Sequence, residues 1–220
     1  MSGDNQSPEL FGQTPWQTVG PFFHYALPWK GGADLVGASD IGARDDVVPE
    51  GTRPLEGPPT RPPVEGEAIE ISGCVRDGAG AAVPDALVEI WQASPAGRYA
   101  AAADGRDEIA LTPGFSGFGR AATAEDGSFE FRTLKPGRVP GPGNSLQAPH
   151  IAVSVMARGL MRRLVTRLYF EDGEGNDADP ILALVPAARR GALIARRAGP
   201  SVWRFDIRLQ GPGETPFFEF

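Results

Sequence analysis

Val202-Trp203-Arg204-Phe205-Asp206-Ile207-Arg208-Leu209-Gln210 alternates without a break, with Trp203, Phe205, Ile207 and Leu209 on one side and Arg204, Asp206, Arg208 and Gln210 on the other. A period of two over nine residues is the pattern of a strand with one face in a core and one in water. The same period runs through Ser128-Phe129-Glu130-Phe131-Arg132-Thr133, which follows the turn Glu125-Asp126-Gly127. Working outward, residues 68–75, 86–92, 151–157 and 164–171 read as further strands, the first closed by the turn Asp77-Gly78-Ala79-Gly80. Residues 186–197 are the best helix candidate, with Pro186 near the start and Gly199 just past the end. The chain carries 29 glycines and 22 prolines, which cut helices short and favour short strands joined by turns. The expectation is an all-β fold: an antiparallel β-sandwich with a long N-terminal arm and short helical segments.

Two regions follow from the change in pattern at residue 67. Residues 1–66 form an arm and connector, and residues 67–220 form the sandwich. The arm gathers Trp16, Phe22, Phe23, Tyr25 and Trp29 within a short stretch and needs a surface on which to bury them. Residues 31–66, with Pro49, Pro54, Pro58, Pro59, Pro62 and Pro63, read as a connector lying over the surface.

Composition removes several classes of function. A net charge of −7 over 220 residues argues against a protein that grips a phosphate backbone, so no nucleic-acid partner is expected. The single cysteine, Cys74, excludes an internal disulfide and reads as a small buried apolar residue. No apolar run approaches the ~20 residues of a membrane span, and the first residues lack a charged-then-apolar leader, so a soluble, cytoplasmic protein is expected. Only two histidines (His24, His150) and three tyrosines (Tyr25, Tyr99, Tyr169) are present, so any site made of imidazoles and phenolates is short of ligands. Trp91, in an alternating strand, reads as core. Arg158, Arg162, Arg163 and Arg167 cluster in sequence, and Arg189, Arg190, Arg196 and Arg197 read as the wet side of the short helix.

Val88-Glu89-Ile90-Trp91-Gln92-Ala93 followed by Gly97-Arg98-Tyr99 resembles the intradiol ring-cleavage dioxygenases. The resemblance continues through Phe118-Gly119-Arg120, Asp126-Gly127, Lys135-Pro136-Gly137, Ala148-Pro149-His150-Ile151, Thr166-Arg167-Leu168-Tyr169-Phe170 and Arg204-Phe205-Asp206-Ile207-Arg208. Thr14-Pro15 and Gln17-Thr18-Val19-Gly20-Pro21 narrow it to the α subunit of the two-subunit members. It covers nearly the whole chain and is weakest over 31–66. What the resemblance implies is cleavage of 3,4-dihydroxybenzoate (protocatechuate) by O2 to 3-carboxy-cis,cis-muconate at a non-haem Fe(III) held by two tyrosines and two histidines. Phenolate oxygens are hard anionic donors suited to such an ion.

Laid on this sequence, the family pattern keeps two of the four ligands. Tyr99 matches the tyrosine of Gly-Arg-Tyr and His150 matches the first histidine, whereas Val139 and Ala152 stand at the other two positions. Tyr99 and His150 are therefore expected to be vestigial ligand positions, with no metal ligand and no catalytic residue in this chain. The resemblance places the iron in a homologous β subunit, with the active site at the αβ junction and a higher αβ oligomer. It assigns this chain the substrate-binding residues Thr18, Gly20 and Pro21 on the arm, and Arg158, whose planar guanidinium suits a benzoate carboxylate. Phe22 follows Pro21 where the family often has tyrosine. Two other readings stay open at this level: a β-sandwich binding module without part in catalysis, and a self-sufficient homomeric dioxygenase, which Val139 and Ala152 disfavour.

Overall fold

The computed structural model describes residues 15–26, 32–37 and 64–219; residues 1–14, Trp29 and the prolines between 49 and 63 lie outside them. The alternating segments form strands whose apolar faces turn inward. These are β1 (Ala68–Arg76), β2 (Leu87–Gln92), β3 (Phe118–Ala122) and β4 (Ser128–Leu134), then the short β5 (Val139–Pro140) and β6 (Leu146–Gln147). After them come β7 (His150–Met156), β8 (Leu164–Phe170), β9 (Ile194–Arg197), β10 (Val202–Arg204) and β11 (Ile207–Arg208). In hydrogen-bonded order the main sheet runs β11-β1-β10-β9-β8-β7-β2-β3, with β4 on β1, and β5 pairs only with β6. The all-β expectation therefore holds, and the sheet folds over into a nearly closed sandwich.

One core fills it. Ile69, Ile71, Phe129, Phe131, Trp203, Phe205 and Ile207 face Val88, Ile90, Ile151, Val153, Val155, Leu168 and Phe170. The alternation of 202–210 places Trp203, Phe205 and Ile207 inside as expected. Between β10 and β11 the chain stays tied to β1: the Phe205 N–H donates to the Ser72 carbonyl at 2.8 Å and the Cys74 N–H to the Asp206 carboxylate at 2.9 Å. Cys74 is buried, as its apolar reading required.

The structure corrects several expectations. The sheet is mixed rather than purely antiparallel: β1 pairs in parallel with β10 and β11, and β8 pairs in parallel with β9. Parallel neighbours need long crossovers, which the segments 77–201 and 171–193 supply. The helix expected over 186–197 is a single turn, α2 (Ala187–Arg190), followed by a 3-10 turn and then β9. Gly191 is a weak helix former, and Ile194 and Ala195 gain strand partners at Tyr169 and Phe170 in the gap between β8 and β10. Tertiary pairing wins over local pattern there. Arg196 and Arg197 consequently lie on a strand, paired with Glu171 and Asp172.

Residues 32–37 do not lie over the surface. Ala33, Leu35 and Val36 enter the core. The backbone here joins two strand edges, because Gly32 O accepts from Arg120 N in β3 and Leu35 N donates to Arg132 O in β4. Those edge groups would otherwise be left without partners beneath the chain. The arm contributes a second helical turn, α1 (Phe23–Ala26).

Gln92 ties the two layers together. Its side chain is fully buried, its Nε2 donates to the Leu134 carbonyl at 2.8 Å, and its Oε1 accepts from the Thr133 hydroxyl at 2.8 Å. Gln92→Leu keeps the volume but strands both partners in the core. It is expected to cost roughly 2–4 kcal/mol, read as a lowered urea midpoint; a midpoint unchanged from wild type would show that the amide is not a structural tie.

Candidate functional site

The outer face of β7 and β8 carries the positions that the resemblance assigns to metal ligands. Cross-strand pairing sets His150 opposite Tyr169 and Ala152 opposite Arg167, and on the other side of β7 it sets Ala152 opposite Trp91. Side chains on one face recur every second residue, so His150 and Ala152 share this face with Arg167, Tyr169 and Trp91. Trp91 is consequently not in the core, where its strand pattern had suggested it. It is half-buried, and its ring stacks on Tyr99 with centroids 5.8 Å apart and planes 14° from parallel.

Two tight backbone contacts deliver Tyr99 and Val139 to the same face. Gly97 has φ +79°, and a Cβ there would lie 2.1 Å from the Arg138 carbonyl oxygen; one on Gly137 would lie 2.2 Å from that of Pro95. Only glycine lets the Gly97-Arg98-Tyr99 turn close on the Gly137-Arg138-Val139 segment. The turn is further held by Asp104, which accepts from the Tyr99 N–H at 2.8 Å and pairs with Arg106 at 2.5 Å. The Arg106 guanidinium holds the Asp104 carboxyl well below the usual carboxylate range. Burial pushes the Tyr99 phenol up, opposed by the charges of Arg167 and Arg106.

His150 is buried, and its Nδ1 lies 2.8 Å from the Ala148 carbonyl oxygen. A carbonyl can only accept, so Nδ1 carries the proton and donates it. Burial, reinforced by the Arg167 charge, pushes the imidazole down to about 4, which leaves it neutral at pH 7. Tyr169, fully buried beside it with ring centroids 5.7 Å apart, donates its hydroxyl to Asp179 Oδ1 at 3.1 Å. Asp179 also accepts from the backbone N–H groups of Ala148, Ile181 and Leu182, and so locks the segments around the histidine.

The donor set does not fit a ferric ion. Tyr99 and His150 offer two donors, Val139 is a buried isopropyl group, and Ala152 offers a methyl. Arg167 shares this face, opposite Ala152, and its guanidinium donates to Gln147 Oε1 at 2.6 Å. The sequence offered Arg167 only as one of four clustered arginines and as part of the motif at 166–170. Its position two residues from buried Tyr169, on the same strand face, was the signal that could have found it.

The remaining expected site residues meet at a second place. Thr18 Oγ1 accepts from the Gly159 N–H at 2.8 Å, so the arm motif lies against the residue that follows Arg158. Gly20 accepts from Phe23 N at 3.1 Å and starts the turn into α1. A Cβ on Gly20 would meet nothing within 4 Å, which leaves that side of the arm open. Pro21 is half-buried, and Phe22 is exposed. Trp16 is exposed too, with the Arg162 guanidinium 5.3 Å over its ring. Arg158 is 61% exposed and its Nε lies 3.1 Å from a carboxylate oxygen of nearly buried Asp85, a partner the sequence did not suggest. The structure thus brings Thr18, Gly20, Pro21 and Arg158 to one rim, past the end of β7 opposite to the one that carries His150.

Known proteins resemble the chain over most of its length. Residues 58–211 match the family described as Dioxygenase. The protocatechuate 3,4-dioxygenase alpha chain of Burkholderia cepacia is 42% identical over 216 residues, covering 94% of this chain and 97% of that one. The beta chain of the same enzyme from that organism is 36% identical over 194 residues, covering 84% of this chain and 79% of its own. Among solved structures, the dioxygenase domain of a dioxygenase carbohydrate-binding protein fusion from Streptomyces sp. SirexAA-E has a TM-score of 0.50 at 29% identity, covering 75% of this chain and 99% of that one. The chain belongs to the intradiol ring-cleaving dioxygenase family.

Proposed function

We propose that this chain is the metal-free α subunit of a cytoplasmic αβ protocatechuate 3,4-dioxygenase. The complex would open the ring of 3,4-dihydroxybenzoate between its hydroxyl-bearing carbons, with both atoms of O2 entering the product, 3-carboxy-cis,cis-muconate. The observation that carries the reading is the pairing of a depleted donor set with an intact rim. The ligand positions hold Val139 and Ala152, while Thr18 still hydrogen-bonds the loop that presents Arg158. An iron-bearing β subunit, homologous to this chain, would supply the metal chemistry, binding the catechol and making its ring reactive towards O2 when the iron is in place. Similarity to both an alpha and a beta chain of one enzyme supports such a pair.

This chain's own part is to bind and orient. Thr18 fixes the arm against Gly159, and the open side of Gly20 leaves room for a ligand or partner backbone to approach. Pro21 sets the direction of the turn that follows. Arg158 offers a planar, permanently charged fork to the benzoate carboxylate, at the end of the substrate opposite its two hydroxyls. Asp85 holds that fork in place by its 3.1 Å contact and partly neutralises it, so the substrate carboxylate competes with Asp85 for the guanidinium.

The reading is tested in the complex assembled with the iron-bearing partner. Arg158→Ala is expected to raise KM for protocatechuate by about tenfold and to change KM for unsubstituted catechol little, because only the former has a carboxylate to lose. Equal effects on both substrates would remove the carboxylate role. This chain alone is expected to consume no O2 with protocatechuate, and turnover by it would sink the αβ requirement.

A neutral buried His150 has a consequence for stability. In the unfolded chain the imidazole titrates near 6.5, and in the folded chain near 4. Between these values the unfolded state binds the proton and the folded state does not, so stability falls as pH drops from 6.5 to 4, by about 3 kcal/mol in all. His150→Gln is expected to flatten that part of the pH profile measured by chemical denaturation. An unchanged slope would mean that His150 already titrates normally in the folded protein.

A further inference from the structure

The ladder between β2 and β7 ends with Leu87 opposite Met156, and two steps further the same register sets Asp85 opposite Arg158. Their side chains meet there, with Arg158 Nε 3.1 Å from Asp85 Oδ2. The two partners are unequal. Asp85 is nearly buried, and the residue after it is pinned on both sides by Thr123, whose N–H donates to the Ala86 carbonyl at 2.9 Å and whose hydroxyl accepts from the Ala86 N–H at 3.0 Å. Arg158 lies mostly in solvent, on a turn closed by the Leu160 N–H on the Ala157 carbonyl at 3.1 Å and held from outside by Thr18. The contact between them is an ion pair and not a hydrogen bond. Asp85 Oδ2 is shut off from water, yet among the described residues no donor is aimed at it. The carboxylate thus lends the guanidinium a negative charge and leaves its N–H groups available to another acceptor. Arg162, further along the turn, is taken up with Glu219 and the ring of Trp16.

We propose that Asp85 is a specificity-determining residue of the rim: a fixed internal carboxylate that compensates Arg158 while the rim is empty, so that free anions are turned away and a carboxylate is accepted only when the rest of its molecule is held elsewhere. The proposal rests on the reading of Arg158 as the partner of the substrate carboxylate. An exposed guanidinium without a counter-charge attracts any small oxyanion, and acetate or sulfate would then compete with substrate. Beside Asp85 an arriving anion meets a pair whose net charge is already zero, and a like charge that burial leaves poorly screened. A free anion gains too little there to stay. A benzoate held by its hydroxyl-bearing end is in a different position, because its carboxylate reaches the fork as part of a molecule already bound and at a high effective concentration. Arg158 supplies the attraction and Asp85 sets how much of it a ligand must bring from its other end. Asp85 acts through Arg158, with no contact to substrate of its own.

The test uses the complex assembled with the iron-bearing partner, and acetate as the free carboxylate. Asp85→Asn keeps the size and one acceptor oxygen and removes the charge. At constant ionic strength, acetate is expected to compete with protocatechuate with an inhibition constant about tenfold lower in Asp85→Asn than in wild type. The ratio of KM for protocatechuate to KM for catechol is expected to fall about threefold, because the substrate carboxylate also loses a like-charged neighbour. Asp85→Asn/Arg158→Ala is expected to lose the acetate sensitivity, which ties the effect to the guanidinium. Asp85→Ser removes the same charge with a smaller side chain and is expected to give the same shift, so the comparison does not hang on how the buried position takes an amide. An acetate constant that neither variant lowers overturns the proposal. So does a raised KM for protocatechuate, which would make Asp85 a support of the turn and nothing more. Either result beside a protocatechuate-selective effect of Arg158→Ala sinks the role of Asp85 alone, whereas an Arg158→Ala effect equal on both substrates overturns the reading of Arg158 and the proposal with it.

Discussion

The register between β7 and β8 is the constraint on which the rest of the molecule depends. Setting Ala152 opposite Arg167 and His150 opposite Tyr169 fixes, in one ladder, which side chains enter the core and which form the outer face. Ile151, Val153 and Val155 point into the sandwich, and His150, Ala152, Arg167 and Tyr169 point out of it. A one-residue slip of β7 would turn its three branched apolar side chains out of the core and His150 and Ala152 into it. The penalty for that exchange is what makes the arrangement unique, and it comes from ordinary core packing. The Tyr99 turn, the short β5–β6 pair and the Asp179 segment are laid over this face afterwards, each by its own hydrogen bonds.

Much of this was legible in the sequence because a period of two survives wherever one face of a strand is buried. The runs 128–133 and 202–210 gave their core residues directly. The ligand count that the resemblance implies, at Tyr99, Val139, His150 and Ala152, needed no structure. What was not legible depended on partners distant in the chain. Residues 194–197 continue a helical-looking stretch and become a strand because Tyr169 and Phe170 offer unpaired backbone. Ala33, Leu35 and Val36 sit in a glycine- and proline-rich region whose composition suggests surface, yet the edges of β3 and β4 draw them inward. Trp91 alternates correctly with its neighbours, but alternation does not say which of two faces is the core, and a second layer over the outer face half-buries it against Tyr99. Arg167 was hidden among neighbouring arginines that have no common role: Arg162 lies over Trp16, Arg158 pairs with Asp85, and Arg167 turns to the other face to meet Gln147.

The two regions of interest divide the work in a way that follows from their chemistry. The face around Tyr99 and His150 is packed, stacked and hydrogen-bonded, and Val139 and Ala152 bring no donor atom to it. The rim around Thr18, Gly20, Pro21 and Arg158 is the reverse: exposed, partly charged and open on the side of Gly20. Exposed Trp16 and Phe22 flank it, side chains whose burial would need a neighbouring surface. On the proposed reading the first region has become a structural unit, and the second has been kept because the substrate and the partner subunit meet there. On that reading a family fold retains a binding rim while giving up the chemistry at another face.

The most direct measurement is the iron content of this chain purified alone, under conditions in which an iron-bearing relative loads fully. The account predicts a colourless protein with only trace iron. Stoichiometric iron with a red tyrosinate colour would contradict it, because Tyr99 and His150 would then have found further donors and the chain would be an iron enzyme in its own right.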